Sequence, residues 1–163
     1  MEFSIRPVTA ADGEWIRRSI NDRWGAEVVV VHGVIYHPHR LPGLIAETPR
    51  GERVGLATYL IENAACELVT LDSFRQGQGV GSALVRTLAQ EAGQRGCSRL
   101  WCVTTNDNLP ALRFYQQRGF AIIATHADAV ERARALKPAI PLRGVGGVPI
   151  RDEIELELAL PSG

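Results

Sequence analysis

The sequence predicts a mixed α/β domain built around a strand, helix, strand unit, and three observations predict it. The run Glu67-Leu68-Val69-Thr70-Leu71 reads as a strand, and from Val80 onward Leu84, Val85, Leu88 and Ala92 recur at helical spacing. A second run, Arg99-Leu100-Trp101-Cys102-Val103-Thr104, follows that helix, so the two strands should lie parallel. Between Ile150 and Leu160, Ile154, Leu156, Leu158 and Leu160 alternate with Glu153, Glu155 and Glu157, the period-2 pattern of a strand with one wet face. At 163 residues the whole chain, 1–163, is expected to form one domain with its own core.

The remaining elements follow in order. Phe3 to Val8 reads as a first strand, apolar at alternate positions. Thr9 or Asp12 caps a helix to about Asp22 that carries Trp15, Ile16 and Ile20. Glu27 to His32 is a β-branched run, and Gly33 to Gly43 reads as irregular. Leu44 to Glu47 is a strand, Thr48 to Glu52 a turn, Arg53 to Ile61 a strand and Asn63-Ala64 a turn. Gly96 ends the helix after the glycine loop as a C-cap. Asn108 to Arg118 is a helix with Pro110 in its first turn and Gly119 as its stop. Phe120 to Ala124 is a strand, and Asp128 to Lys137 is helical by pattern until Pro138, Pro141 and Gly144-Val145-Gly146-Gly147 break it.

Gln76-Gly77-Gln78-Gly79-Val80-Gly81 sits where a strand turns into a helix N-terminus. Unpaired N–H groups and the helix dipole make such a place an anion site, and glycine lets a bulky diphosphate approach the backbone. The loop is not a Walker A motif, because Lys137 is the only lysine in the chain. Nor is it the dinucleotide fingerprint, whose third glycine is replaced by Ser82 or Leu84 depending on the register. An acidic ribose anchor at the expected spacing is also missing, which argues against a nucleotide-binding βαβ domain.

Gln76-x-x-Gly79-x-Gly81 resembles the pyrophosphate loop of the GCN5-related N-acetyltransferases. Asn108, Ala111, Phe114, Tyr115, Gly119 and Phe120 fall without a gap on that family's second signature, in the right order and at roughly the right separation. The resemblance covers about residues 52–124. It implies a mostly antiparallel sheet with one splayed parallel pair. It also implies acetyl-CoA as co-substrate and direct transfer of the acetyl group to an amine in a ternary complex.

Residue by residue, the resemblance assigns the diphosphate to the backbone of Gln76, Gly77, Gln78, Gly79, Val80, Gly81 and Ser82. It places the pantetheine arm between Val69-Thr70-Leu71 and Val103–Thr105, with the Leu71 amide polarising the thioester carbonyl. Removing one such donor typically costs roughly 100- to 1,000-fold in rate. Asn106 and Asn108 are expected at the same cleft, as are Ala111 and Phe114 of the second signature. Asn108 also reads as a helix N-cap, and the two roles are compatible. Tyr115 occupies the tyrosine position that protonates the departing thiolate; the alternative is an amphipathic core tyrosine. Glu67 stands where some members, histone acetyltransferases among them, carry a catalytic glutamate, which typically contributes roughly 100- to 10,000-fold. The alternative is an exposed charge at a strand start, and Asp72, Asp152 and Glu153 remain open as bases. Cys66 lies on the same strand without a histidine beside it in sequence, so a covalent acetyl-cysteine path is disfavoured. His32, His37 and His39 lack a nearby carboxylate or cysteine, so no metal is expected; the segment reads as an acceptor-pocket wall or a solvated loop. The stretch His126 to Ile150 is longer than an ordinary hairpin and is either solvated charge or a lid or dimer contact bordering the acceptor site.

Formal net charge is zero, which gives no general pull toward nucleic acid or anionic membrane. No apolar run approaches the ~20 residues a membrane span needs, and no signal-peptide pattern is present. Cys66, Cys97 and Cys102 cannot all pair and form no Cys-x-x-Cys motif, so a reduced, cytoplasmic protein is expected. A small-molecule amine or a peptide is the expected acceptor, and a homodimer through the last strand is open by analogy. The rival from another class is a non-catalytic acyl-CoA-binding sensor or interaction module, which would keep the glycine loop and need neither Tyr115 nor Glu67.

Overall fold

The computed structural model describes residues 1–161. Its strands are β1 (Ser4–Pro7), β2 (Val29–Val31), β3 (Val34–Tyr36), β4 (Gly43–Glu47), β5 (Arg53–Glu62), β6 (Ala65–Ser73), β7 (Arg99–Thr105), β8 (Ala121–His126) and β9 (Glu153–Ala159). Its α-helices are α1 (Gly13–Trp24), α2 (Val80–Gln94), α3 (Leu109–Gln117) and α4 (Ala129–Leu136). Seven strands form one sheet in the order β1-β4-β5-β6-β7-β9-β8. Every pairing in it is antiparallel except β6 with β7, the expected parallel pair.

The sheet buries both faces. On one, Leu84, Leu88 and Ala92 of α2 pack against Ala57, Leu68 and Leu156. On the other, Ile16 and Ile20 of α1 pack against Ile45, Leu56 and Val29. Burying a side chain of this size contributes about 1.5–3 kcal/mol. The start of α1 is pinned by Asp12, which is 1 % exposed and takes hydrogen bonds from Arg6 at 2.8 Å and Arg53 at 3.1 Å. Gly96, at φ 83°, terminates α2 as expected: Cys97 N–H reaches Ala92 O, and Gly96 N–H reaches Gly93 O, the paired bonds of a Schellman end.

One irregularity positions the site. Thr58 faces Thr70 while Tyr59 faces Leu68, so Val69 is an extra residue in β6. A bulge of this kind bends and twists its strand. The parallel pairing of β6 with β7 ends at Glu67 and Trp101, just before the bulge, and the two strands part beyond it.

Two sequence expectations are corrected. Gly33 to Gly43 is not wholly irregular, because Val34–Tyr36 pairs back on Val29–Val31 as a hairpin. The last strand begins at Glu153 rather than Ile150 and lies inside the sheet between β7 and β8, so the free edge on that side is β8. The exposed Ile122 and Ile123 stand on that edge.

Candidate active site

The glycine loop places two residues in the left-handed region, Gly77 at φ 73° and Gly79 at φ 77°. A Cβ at either would meet nothing, so the glycines are required by backbone conformation and the surface above them is open. Gly79 is the N-cap of α2, which leaves the N–H groups of Val80, Gly81 and Ser82 without an intrahelical partner. Gly81 serves a second purpose: a Cβ there would lie 3.3 Å from the Phe114 ring, so it allows α3 to close on α2. The Val80 side chain is buried, leaving only its backbone for a ligand. Gln76 and Gln78 are exposed.

Arg118 was not expected here. Its Nε donates to Ser82 Oγ at 2.8 Å, its Nη1 donates to Phe114 O at 2.8 Å, and its guanidinium lies 3.6 Å over the Phe114 ring. A fixed cation therefore stands beside the positive end of α2. An open loop of backbone donors backed by an arginine fits a diphosphate. Arg118 lies inside the span of the second signature, at a position the signature leaves unspecified, and its place directly before Gly119 is the only sequence sign of it.

Where β6 and β7 part, a cleft of about 470 Å³ opens. Val69, Leu71, Val103, Thr105, Asn108, Ala111 and Tyr115 line it. The direction of the Leu71 amide follows from the ladder. Phe74 N–H donates to Val54 O on β5, and strand residues alternate in the side they face, so Asp72 and Thr70 also face β5. Leu71 and Ser73 face the gap. Ser73 O is correspondingly free of β5 and accepts from Arg23 at 2.8 Å.

Asn108 both lines the cleft and caps α3, its Oδ1 accepting from Ala111 N–H at 3.2 Å. Three residues expected at the cleft turn their side chains to other partners. Thr70 turns its hydroxyl to Thr58 across the sheet. Phe114 lies against Gly81 and under Arg118. The Asn106 amide is consumed by the 149–152 segment, donating to Pro149 O at 2.9 Å and accepting from the N–H groups of Arg151 and Asp152.

Tyr115 is 8 % exposed, with its ring against Phe114 and Phe120. Burial pushes its hydroxyl well above the ordinary phenol range, and the neighbouring Cys102 thiol adds to the effect. Cys102 itself is pushed up to about 12, mainly by burial. Cys66 is likewise pushed up to about 12 by burial, so its thiolate is not accessible near neutral pH.

Glu67 is buried rather than exposed, and it stands outside the cleft lining. Its carboxylate accepts from Tyr36 Oη at 2.6 Å and lies 2.7 Å from His32 Nε2. The His32 ring is pushed toward its charged form, chiefly by the hydrogen bond to Glu67. His32 N–H in turn donates to the Glu153 carboxylate, 3.1 Å to Oε2. Glu153, also buried, does line the cleft, as does Asp72, whose pKa is raised by burial and whose Oδ2 accepts from Trp24 Nε1 at 3.2 Å. Asp152 is instead engaged with Arg151 and with Asp128 N–H.

The 126–150 stretch forms a wall of the same cleft, through Val130 and Ala133 of α4 and through Ile140, Pro141 and Ile150. Arg134 organises it, with Nη2 donating to Pro141 O at 2.7 Å and to Ile150 O at 2.6 Å. Asp107 fastens it to the β7–α3 loop by accepting from Val145 N–H at 3.1 Å. Of the hairpin, Val29 and Val30 line the cleft, whereas His32 stands outside its lining and touches it only through its bond to Glu153. The segment carrying His37 and His39 forms a short turn lying against α1 instead.

The sequence profile described as the acetyltransferase (GNAT) family matches residues 14–120. The Bacillus subtilis protein YdhI is 40% identical over 131 residues, covering 80% of this chain and 82% of that protein. The Bacillus subtilis protein YxbD is 35% identical over 154 residues, covering 94% and 97%. A Bacillus subtilis acetyltransferase solved in complex with CoA superposes with a TM-score of 0.73 at 20% identity, over 98% of this chain and 100% of that one. A loop of free backbone donors beside a splayed parallel pair is what those matches lead one to expect: the chain belongs to the acetyltransferase (GNAT) family and is an N-acetyltransferase whose co-substrate is acetyl-CoA.

Proposed function

We propose that the protein moves an acetyl group from acetyl-CoA directly to the amine of a small molecule or peptide, with both substrates in the cleft together. The observation that carries this reading is the parting of β6 and β7, which opens a cleft lined by both Leu71 and Tyr115. Acetyl-CoA supplies an activated acetyl thioester. The amides at the start of α2, steadied by Arg118 on Ser82, receive the diphosphate. The Leu71 N–H donates to the thioester carbonyl oxygen as negative charge grows there. Attack forms the N–C bond and breaks the C–S bond; one proton leaves the nitrogen and one is delivered to sulfur. Tyr115, held protonated by its burial, supplies the proton to sulfur.

Glu67 is the proposed base, acting through water. Glu153 is the competing assignment, favoured by its place on the cleft wall. Direct transfer rather than a covalent path is supported by the buried thiols of Cys66 and Cys102, both pushed up to about 12. Initial rates with acetyl-CoA and amine both varied test the scheme. Intersecting lines in a double-reciprocal plot are expected, whereas parallel lines would refute a ternary complex. Acetyl-CoA binding with no thiol release on any amine would instead establish the sensor reading.

A further inference from the structure

The acceptor end of the cleft holds an unusual group. Lys137, the only lysine in the chain, follows α4 and lines the cleft, yet is 7 % exposed. Among the described residues no carboxylate lies within ion-pair distance of it. Its ammonium donates to Trp24 O at 2.8 Å, the last carbonyl of α1. That contact is favourable at a helix C-terminus but uses one of three N–H donors. A cation buried beside Val130, Ala133, Ile140 and Ile150 without a counter-ion is costly unless something pairs it. The other cation on this wall, Arg23, is already engaged with Ser73 O and the Phe74 ring.

We propose that Lys137 receives an anionic group on the acceptor, so that the substrate is an amine that also carries a carboxylate, such as a free amino acid. This rests on the acetyl-transfer reading above and narrows its acceptor. Among the described residues Trp24 O is the one hydrogen-bond partner of the Lys137 ammonium, which leaves its charge and remaining N–H donors to meet a carboxylate as a point charge. The direction of the Lys137 shift agrees: burial alone lowers its pKa, with no acidic neighbour opposing it. Glu153 and Asp72 on the same cleft supply negative charge for the ammonium end, so the cleft presents opposite charges to the two ends of an amino acid.

The test offers free amino acids beside their C-terminal amides, following thiol release. Wild type should favour the carboxylate of at least one pair by about tenfold or more in kcat/KM. Lys137→Met should erase that preference, and Lys137→Arg should keep part of it, with the KM for acetyl-CoA unchanged in both. Because the chain has one lysine, protein labelled with 13Cε-lysine gives one side-chain signal, which reports on wild type even if the variants fold poorly. Adding the preferred amino acid in the presence of CoA should shift that signal and raise the pH at which it titrates. No preference in wild type, a preference that survives Lys137→Met, or an unmoved lysine signal would overturn the inference. Release on other amines but on no amino acid would also overturn it and leave the transfer reading standing. Silence on every amine would overturn that reading itself.

Discussion

The Nε2 of His32 lies 2.7 Å from the Glu67 carboxylate, joining the β2–β3 hairpin to the strand that opens the cleft. The bond raises the His32 pKa above its ordinary value of 6.5. A raised folded pKa means that the stabilisation is complete below about pH 6.5 and is lost as pH climbs through the folded value. Urea unfolding at pH 6 and pH 8.5 should therefore show wild type losing stability relative to His32→Gln. Parallel behaviour of the two proteins would contradict the ion pair.

Tyr115→Phe should lower kcat by roughly 100-fold or more while acetyl-CoA still binds, because the ring packing against Phe114 and Phe120 is kept and only the proton is lost. Calorimetry and single-turnover thiol release separate the two effects. Full kcat in the variant would leave Tyr115 as a core residue.

Glu67→Gln and Glu153→Gln distinguish the two candidate bases. The true base should lose about 100-fold or more in kcat and its limb of the pH–rate profile. The other variant should act mainly on KM for the amine, since both carboxylates hold the hairpin through His32.

Gly79→Ala places a Cβ on a residue at φ 77°, at a cost of about 1–2 kcal/mol in backbone strain with no clash to relieve. Acetyl-CoA affinity should fall while KM for the amine is little changed. An unaltered dissociation constant would remove the loop from the cofactor site.

Gly144→Ala acts at the opposite end. A Cβ there would overlap the Asp107 carboxylate, which holds the 126–150 wall through Val145 N–H. The wall should loosen, raising KM for the amine while the dissociation constant for acetyl-CoA stays the same.

Much of this was legible in the chain because the signals are local. The glycines before α2, the Gly96 stop, the Asn108 cap and the Leu156 alternation each declare an element from a few residues. The β2–β3 hairpin was not, because its two-residue turn is His32-Gly33, with φ 40° and 79°. Both residues are left-handed, but the usual Asn-Gly or Asp-Gly signature is missing. The Val69 bulge and the insertion of β9 between β7 and β8 depend on pairings between distant segments that hydrophobic period does not encode. The same holds for the cleft wall built by the 126–150 stretch. Trp24, Lys137 and Glu153 meet only through tertiary structure, and the sequence marked Lys137 only by its being the sole lysine. For Asn106 and Thr70 the sequence positions place the residues near the cleft but do not say where their side chains find hydrogen bonds.

The most direct test of the central claim is calorimetric titration of the protein with acetyl-CoA, run beside thiol release over a panel of amines. Stoichiometric binding, with release that depends on one class of amine, is the predicted result. Failure to bind acetyl-CoA would contradict the account at its root, in the glycine loop and the parted strands.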